Sequence, residues 1–145
     1  MIYTVGEMAK KLNVAASTLR YYDKEGLLPF LERSSGGIRM FKDDDLSWLQ
    51  IIECLKKTGM PIKDIKHFMD CCMDGDSKID ERQSIIESQR DAVIKQIKEM
   101  QEMLDMLNYK CWYYETAKEA GTCAVHDDIQ IENVPKKFHK FLNKK

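Results

Sequence analysis

The 145-residue chain is predicted to have a mainly α fold, in which a winged helix-turn-helix domain is followed by a long coiled-coil helix. Three observations support this prediction. Two short amphipathic segments are separated by a tight turn, and a glycine-bounded segment of alternating polarity follows them. A heptad repeat then occupies residues 77–118, a stretch without proline or glycine that favours one continuous helix.

The first two helices are predicted from their end signals. Thr4 can cap the first turn while Glu7 reaches back to the Thr4 amide, and apolar residues recur at helical spacing through Leu12. A second helix is expected over residues 15–24, with Gly26 as its stop. Two short helices joined in this way are typical of a helix-turn-helix.

A two-stranded hairpin, or wing, is predicted next. Ser34 to Gly37 is a turn segment, and Ile38, Arg39 and Met40 alternate between apolar and polar side chains. An isolated hairpin is only marginally stable, so the wing must pack against the helices.

Two more helices are predicted before residue 75. The aspartates at 43–45 suit the positive end of a helix dipole, Gly59 ends that helix, and Pro61 opens the next one. The buried face of this fourth helix is predicted to consist of Ile62, Ile65, Met69 and Cys72.

The long helix carries two apolar stripes, which together give a coiled-coil seam that Gln83 and Arg90 interrupt. The stripes are Ile79, Ile86, Val93, Met100, Leu107 and Tyr114, and Ile97, Leu104 and Cys111. At 1.5 Å per residue the helix is roughly 60 Å long, too long to bury its seam against a small domain. We therefore expect a homodimer, with a second copy of the chain as the partner.

The net charge of -1, from 23 basic and 24 acidic residues, at first disfavours a nucleic-acid partner. Residues 1–42, however, carry seven basic and four acidic groups, whereas residues 43–74 carry four and seven. The helix-turn-helix and wing thus have a net charge of +3, where contacts with phosphate are needed. An ordinary solvated surface explains the charge alone equally well, but the charge, the motifs and the long helix together predict DNA binding.

Four motifs resemble those of the MerR family of bacterial transcription regulators. They are Thr4–Ala9, Ser17–Pro29, Gly37–Phe41 and Thr58–Ile62. The resemblance implies a homodimer that binds a palindromic promoter with an overlong spacer and distorts it for RNA polymerase. The expected segments are a DNA-binding domain over residues 1–74, an antiparallel coiled-coil dimerisation helix over 75–118, and a short effector or packing segment over 119–145.

The residues expected to contact DNA are Thr4, Ser17, Thr18, Arg20, Tyr21 and Arg39. Side chains early on the second helix can enter the major groove, although most such contacts position the protein rather than specify a sequence. Surface ion pairs are the competing interpretation of Arg20 and Arg39. Tyr22 and Phe41 are expected in the core.

Residues 51–60 and 101–110 are similar to the AdhR and NmlR branch of the family, which is linked to aldehydes and thiol-reactive stress. This similarity implies a reactive thiol at Cys54, and Lys57 nearby would favour the nucleophilic thiolate. The competing interpretation is that Cys54 is only a small buried hydrophobe.

Two other effector sites are considered. Cys111, Cys123 and His126 fall where metal-sensing members hold zinc or copper, but the twelve-residue cysteine spacing and the lack of a cysteine at 77–79 disfavour that site. An organic effector could instead bind among the aromatic residues at the end of the long helix, which could equally serve only in packing. These residues are Trp112, Tyr113, Tyr114, Phe138 and Phe141.

Neither an enzyme nor a cofactor is expected, because the histidines at 67, 126 and 139 are far apart and no phosphate-binding glycine loop occurs. A coiled-coil adaptor would leave Arg20, Arg39 and the wing unexplained. No apolar run is long enough to span a bilayer. Five cysteines, an odd number, together with the absence of a secretory signal, predict a cytoplasmic protein with reduced thiols.

Overall fold

A computed structural model of the chain describes residues 1–142 and confirms the mainly α fold. Within that range the α-helices are α1 Val5–Leu12, α2 Ala16–Lys24, α3 Asp45–Lys57, α4 Ile62–Met73 and α5 Ile79–Ala120. The short strands are β1 Ile2–Tyr3, β2 Glu32–Arg33 and β3 Arg39–Lys42. Single 3₁₀ turns occupy Gly75–Lys78, Cys123–His126, Ile131–Asn133 and Lys136–Phe141. The chain forms two compact units, which divide between Val93 and Ile94.

The helix-turn-helix has the predicted capping. The Glu7 amide donates to Thr4 Oγ1 at 3.2 Å, and the Thr4 amide donates to Glu7 Oε2 at 3.3 Å, so the capping box is complete. Asn13 ends α1 in the left-handed conformation, with φ of 58°. Gly26 follows α2 with φ of 78°, a conformation that glycine adopts without strain.

The wing belongs to a three-stranded antiparallel sheet with the order β1-β3-β2. Arg33 pairs with Arg39 across the predicted hairpin, and Tyr3 of β1 pairs with Phe41 on the other edge of β3. The two-stranded prediction was incomplete because β1 has only two residues and therefore shows no recognisable alternation. The third strand ties the wing to the start of α1.

The core of the first unit is formed by apolar side chains from α1 to α4 and β3. Its buried members are Met8, Ala9, Leu19, Tyr22, Leu27, Leu28, Phe41, Leu49, Ile52, Leu55, Met60, Ile65 and Met69. Tyr22 and Phe41 are fully buried, as predicted. The prediction for Cys72 was wrong, because Cys71 is the buried cysteine at 3% exposure while Cys72 is only half-buried. The start of α5 covers the flank of α4 that carries Cys71, and Glu81 of α5 accepts a hydrogen bond from its thiol.

Helix α5 is continuous over 42 residues, and Gly121 follows it with φ of 75°. Seven of the predicted seam residues are between 41% and 64% exposed in the single chain: Ile79, Ile86, Ile97, Met100, Leu104, Leu107 and Tyr114. No helix within residues 1–142 combines the length and the apolar character needed to cross a membrane.

The second unit has a small core of its own. Val134, Phe138 and Phe141 are buried. They pack against Met106, Tyr109 and Trp112 of α5, with Ile129 and Leu142 at the edges. The 3₁₀ turns after Gly121 are therefore held to the last turns of the long helix by aromatic contacts.

Candidate nucleic-acid interface

Helix α2 presents a polar face to solvent. Ser17, Arg20 and Tyr21 are exposed and Thr18 is half-buried, whereas Leu19 and Tyr22 on the opposite face are fully buried. This division follows from helical periodicity, since residues 19 and 22 share one side of the helix. The exposed face offers hydroxyl, guanidinium and phenol groups, all of which can donate to phosphate or to base edges.

Asp23 locks the wing onto the end of α2. Its Oδ2 atom accepts from Arg33 Nη2 at 2.6 Å and from Arg39 Nε at 2.7 Å. The Asp23 side chain is only 16% exposed, and Arg33 also donates to the Gly37 carbonyl at 3.0 Å. One carboxylate thus joins both strands of the hairpin to α2, so the helix and the wing are held in a fixed relative position.

Two of the predicted DNA contacts also have structural roles. The Thr4 hydroxyl oxygen accepts the capping hydrogen bond but retains its own proton to donate. Arg39 uses Nε to reach Asp23, and its terminal guanidinium nitrogens are the groups that could meet a phosphate. Arg39 therefore forms the ion pair that was the competing interpretation, and that pair positions the residue on the wing.

Tyr22 connects α2 to α3. Its buried hydroxyl donates to Glu53 Oε1 at 2.5 Å, and Lys56 Nζ lies 5.1 Å from the centre of its ring. Burial, and then the hydrogen bond to Glu53, raise the pKa of Tyr22 well above its ordinary value. The residue that receives this hydrogen bond immediately precedes Cys54.

Cys54 is exposed rather than buried, so the structure does not support its interpretation as a core hydrophobe. It lies in a shallow groove of about 280 Å³ between α1 and α3. The groove is lined by Lys11, Leu12, Gln50, Glu53, Cys54 and Lys57. The thiol is thus open to a small reagent and has two lysines in the same groove.

The predicted alternative metal ligands are not brought together. Cys111 and Cys123 are exposed, and His126 Nε2 is hydrogen-bonded to the Tyr113 carbonyl at 2.8 Å. The His126 ring also stacks on Tyr113, with the ring centres 3.8 Å apart. His126 therefore serves to hold the 3₁₀ turn at Cys123–His126 against α5.

The aromatic residues at this end of α5 border an open cavity of about 560 Å³. It is lined by Tyr109, Lys110, Trp112, Tyr113, Tyr114, His126, Asp127, Ile129 and Leu142. Phe138 and Phe141, which were expected to line such a pocket, instead fill the small core beneath it. Stacked rings with one basic and one acidic group at the rim suit a flat organic molecule.

Sequence reasoning missed two functional groupings. Asp23 and Arg33 were not singled out, because their pairing depends on the wing folding back over ten residues. The second grouping is His67, Cys71 and Glu81, the one set of three metal-ligating side chains within residues 1–142 whose donor atoms all lie within 4.8 Å of one another. Its only local signal was the four-residue spacing of His67 and Cys71.

Two family models match the chain: that of MerR HTH family regulatory proteins over residues 3–71, and that of MerR, DNA binding over residues 46–109. An uncharacterized HTH-type transcriptional regulator of Haemophilus influenzae is 48% identical and covers 84% of this chain and 90% of its own length. AdhR of Bacillus subtilis is 30% identical over 63% of this chain and 65% of its own. The crystal structure of HiNmlR, a MerR family regulator lacking the sensor domain, bound to promoter DNA, aligns with a TM-score of 0.67 at 47% identity, covering 86% of this chain and 99% of that one.

Proposed function

Because the chain belongs to the MerR family of DNA-binding transcription regulators, we propose that it binds a palindromic promoter as a cytoplasmic homodimer and distorts an overlong spacer for RNA polymerase. The family is not enzymatic, and the AdhR and NmlR-like relatives support the branch inferred from the sequence. The effector in this proposal is an aldehyde or a related electrophile that reacts with Cys54.

The observation that carries the DNA-binding part is the fixed unit of α2 and wing. Asp23 holds Arg33 and Arg39 at 2.6 and 2.7 Å while Arg20 and Tyr21 stay exposed on α2. A preorganised unit binds DNA without first ordering its side chains, which lowers the entropic cost of association. The solved relative bound to promoter DNA supports the same surface.

Gel-shift titration against the DNA upstream of its own gene tests the interface. Arg20→Ala should weaken specific binding by roughly 10- to 100-fold, the loss of one good side-chain contact per half-site. Lys63→Ala is the matched control, since it removes the same charge from an exposed position on α4. Equal affinity of the unmodified protein for scrambled DNA would contradict specific regulation.

The exposed seam of α5 supports the homodimer. Leu104, Leu107 and Met100 present apolar side chains to solvent in the single chain, and large exposed apolar patches mark association sites. An antiparallel pair would bury this seam and place two reading heads for the two halves of a palindrome. Sedimentation of a monomer at micromolar concentration would contradict this arrangement.

Promoter distortion follows from holding two heads at a fixed separation. DNA whose half-sites are too far apart or wrongly phased must bend or untwist to meet both heads, and the added contacts offset that cost. Transcription in vitro should need the regulator on the native template and not on one whose spacer is shortened to the ordinary length. Equal dependence on both templates would contradict the remodelling mechanism.

Addition at Cys54 needs no further reagent. The sulfur attacks the carbonyl carbon of an aldehyde, an S–C bond forms as the C=O π bond breaks, and the thiol proton ends on the new hydroxyl oxygen. The adduct adds bulk to the groove beside Lys11, between α1 and α3. Glu53 next to it holds Tyr22 of α2, so the adduct would displace groups that position the reading helix.

Alkylation kinetics and a promoter-response assay test this step. Cys54→Ser should abolish the aldehyde response and remove the fastest-reacting thiol, while Cys111→Ser, at another exposed cysteine, should leave both unchanged. An unaltered response in Cys54→Ser would exclude the proposed sensing residue.

A second candidate effector is an organic molecule in the cavity of about 560 Å³ beside Trp112. The stacked rings of Tyr113 and His126 favour a planar aromatic compound there. Fluorescence quenching of Trp112, with Trp112→Phe as the control for the signal from Trp48, measures such binding. A response that survives Cys54→Ser and is lost in Trp112→Ala would favour this candidate over thiol addition.

A further inference from the structure

A three-residue cluster of nitrogen, sulfur and oxygen donors lies where α4 meets the first turn of α5. His67 and Cys71 stand four residues apart on one face of α4, and Glu81 reaches them from α5. Glu81 Oε2 lies 3.2 Å from His67 Nε2 and accepts from Cys71 Sγ at 3.3 Å. The three donor atoms thus converge on one point, which neither the DNA interface nor the groove at Cys54 uses.

These separations match those of a tetrahedral zinc site. With Zn–N and Zn–O bonds of about 2.1 Å and a Zn–S bond of about 2.3 Å, neighbouring ligand atoms lie about 3.4 Å apart for nitrogen and oxygen and about 3.6 Å for sulfur and oxygen. The two measured separations are 3.2 and 3.3 Å. A zinc ion therefore needs only a small outward movement of Glu81.

We propose that His67, Cys71 and Glu81 bind one Zn²⁺ ion, with water in the fourth position. Thiolate, imidazole and carboxylate are the donors that zinc prefers, and Cys71 would release its thiol proton to water on binding. His67 and Glu81 are exposed, so an ion can enter from solvent, while Cys71 forms the buried floor of the site.

The surroundings of Glu81 leave one oxygen free for the metal. Lys78 Nζ lies 3.3 Å from Oε1, whereas Oε2 is the atom shared by the other two ligands. Monodentate binding through Oε2 keeps the Lys78 ion pair, which orients the carboxylate in the manner of an outer-shell partner. The ion would add a crosslink between α4 and α5.

Zinc alone is the probe, titrated into the full-length reduced protein in competition with a chromophoric chelator. One equivalent per chain is expected. The exposed substitutions His67→Asn and Glu81→Gln should each weaken binding by at least about 100-fold, since even loss of an outer-shell partner costs 10- to 100-fold. Cys71→Ser should also abolish the thiolate-to-metal charge-transfer band of the cobalt-substituted protein.

Cys72→Ser is the matched control, because Cys72 is the neighbouring cysteine on α4 and lies outside the cluster. It should keep both the zinc affinity and the cobalt band. Absence of stoichiometric zinc binding, or binding that survives both His67→Asn and Glu81→Gln, overturns the proposal. Binding lost instead in Cys111→Ser or Cys123→Ser would overturn it too, because the metal would then occupy the other end of α5.

Discussion

The position of the wing on α2 should depend on a single carboxylate. Asp23→Asn removes the charge that holds Arg33 and Arg39 while leaving the shape of the side chain nearly unchanged. Two effects on DNA binding then oppose each other. One negative charge fewer beside the phosphates strengthens non-specific attraction, whereas a loosened wing weakens the specific complex.

The size of the effect follows from exposure. The pair with Arg39 joins side chains that are 26% and 16% exposed, so we assign it about 1 kcal/mol; the pair with Arg33, which is 47% exposed, contributes about 0.5 kcal/mol after solvent screening. The free energy of unfolding should therefore fall by roughly 1–2 kcal/mol. With two heads per dimer, a similar loss at each half-site lowers the ratio of specific to non-specific affinity by roughly 30-fold or more.

Urea unfolding and gel-shift titration on native and scrambled operators check this prediction. Glu25→Gln is the control, since Glu25 caps the same helix and removes the same charge from an exposed position. Only Asp23→Asn should lose specificity, although both variants should bind scrambled DNA more tightly. If the two variants behave alike, Asp23 acts only through net charge and the wing is not held by it.

The remaining predictions concern the buried phenol, the seam and the second unit. Because burial and Glu53 raise the pKa of Tyr22, the unfolded chain ionises first above about pH 10; wild-type stability should fall from there upward, and Tyr22→Phe should lack this part of the decline in urea unfolding. Leu107→Glu should raise the dimer dissociation constant at least about 100-fold in sedimentation experiments, and Ile131→Glu, exposed outside the seam, should not; a dimer unaffected by the first would exclude the seam. His126→Ala should cost about 1 kcal/mol of stability without changing operator affinity, and weakened DNA binding would show that the second unit contributes to the interface.

Local signals were enough to predict the helices. The capping box at Thr4, the glycines at 26 and 121, and Pro61 each act within a few residues, so the observed bounds fall within about two residues of those expected. Strand β1 escaped notice because its pairing with β3 joins residues about forty positions apart. Such a contact is decided by tertiary packing rather than by local preference.

The site divides in the same way. Exposure of Ser17, Arg20 and Tyr21 followed from helical periodicity, which any one turn of sequence displays. The choice between Cys71 and Cys72 did not, since it depends on which flank of α4 is covered by α5. Chemical groups assembled across that joint, such as Cys71 with Glu81, have no sequence signature of their own.

The charge distribution of the reading head shows why its small excess suffices. The net +3 of residues 1–42 includes Asp23, which offsets one of the two arginines that it binds. This arrangement lowers the uniform attraction to any phosphate backbone, and it also fixes where the remaining positive charge is presented. Because non-specific binding scales with the number of phosphates neutralised, whereas discrimination depends on placement, the ion pairs shift the balance toward specificity. A nearly neutral chain can therefore read DNA, provided that two such heads bind together.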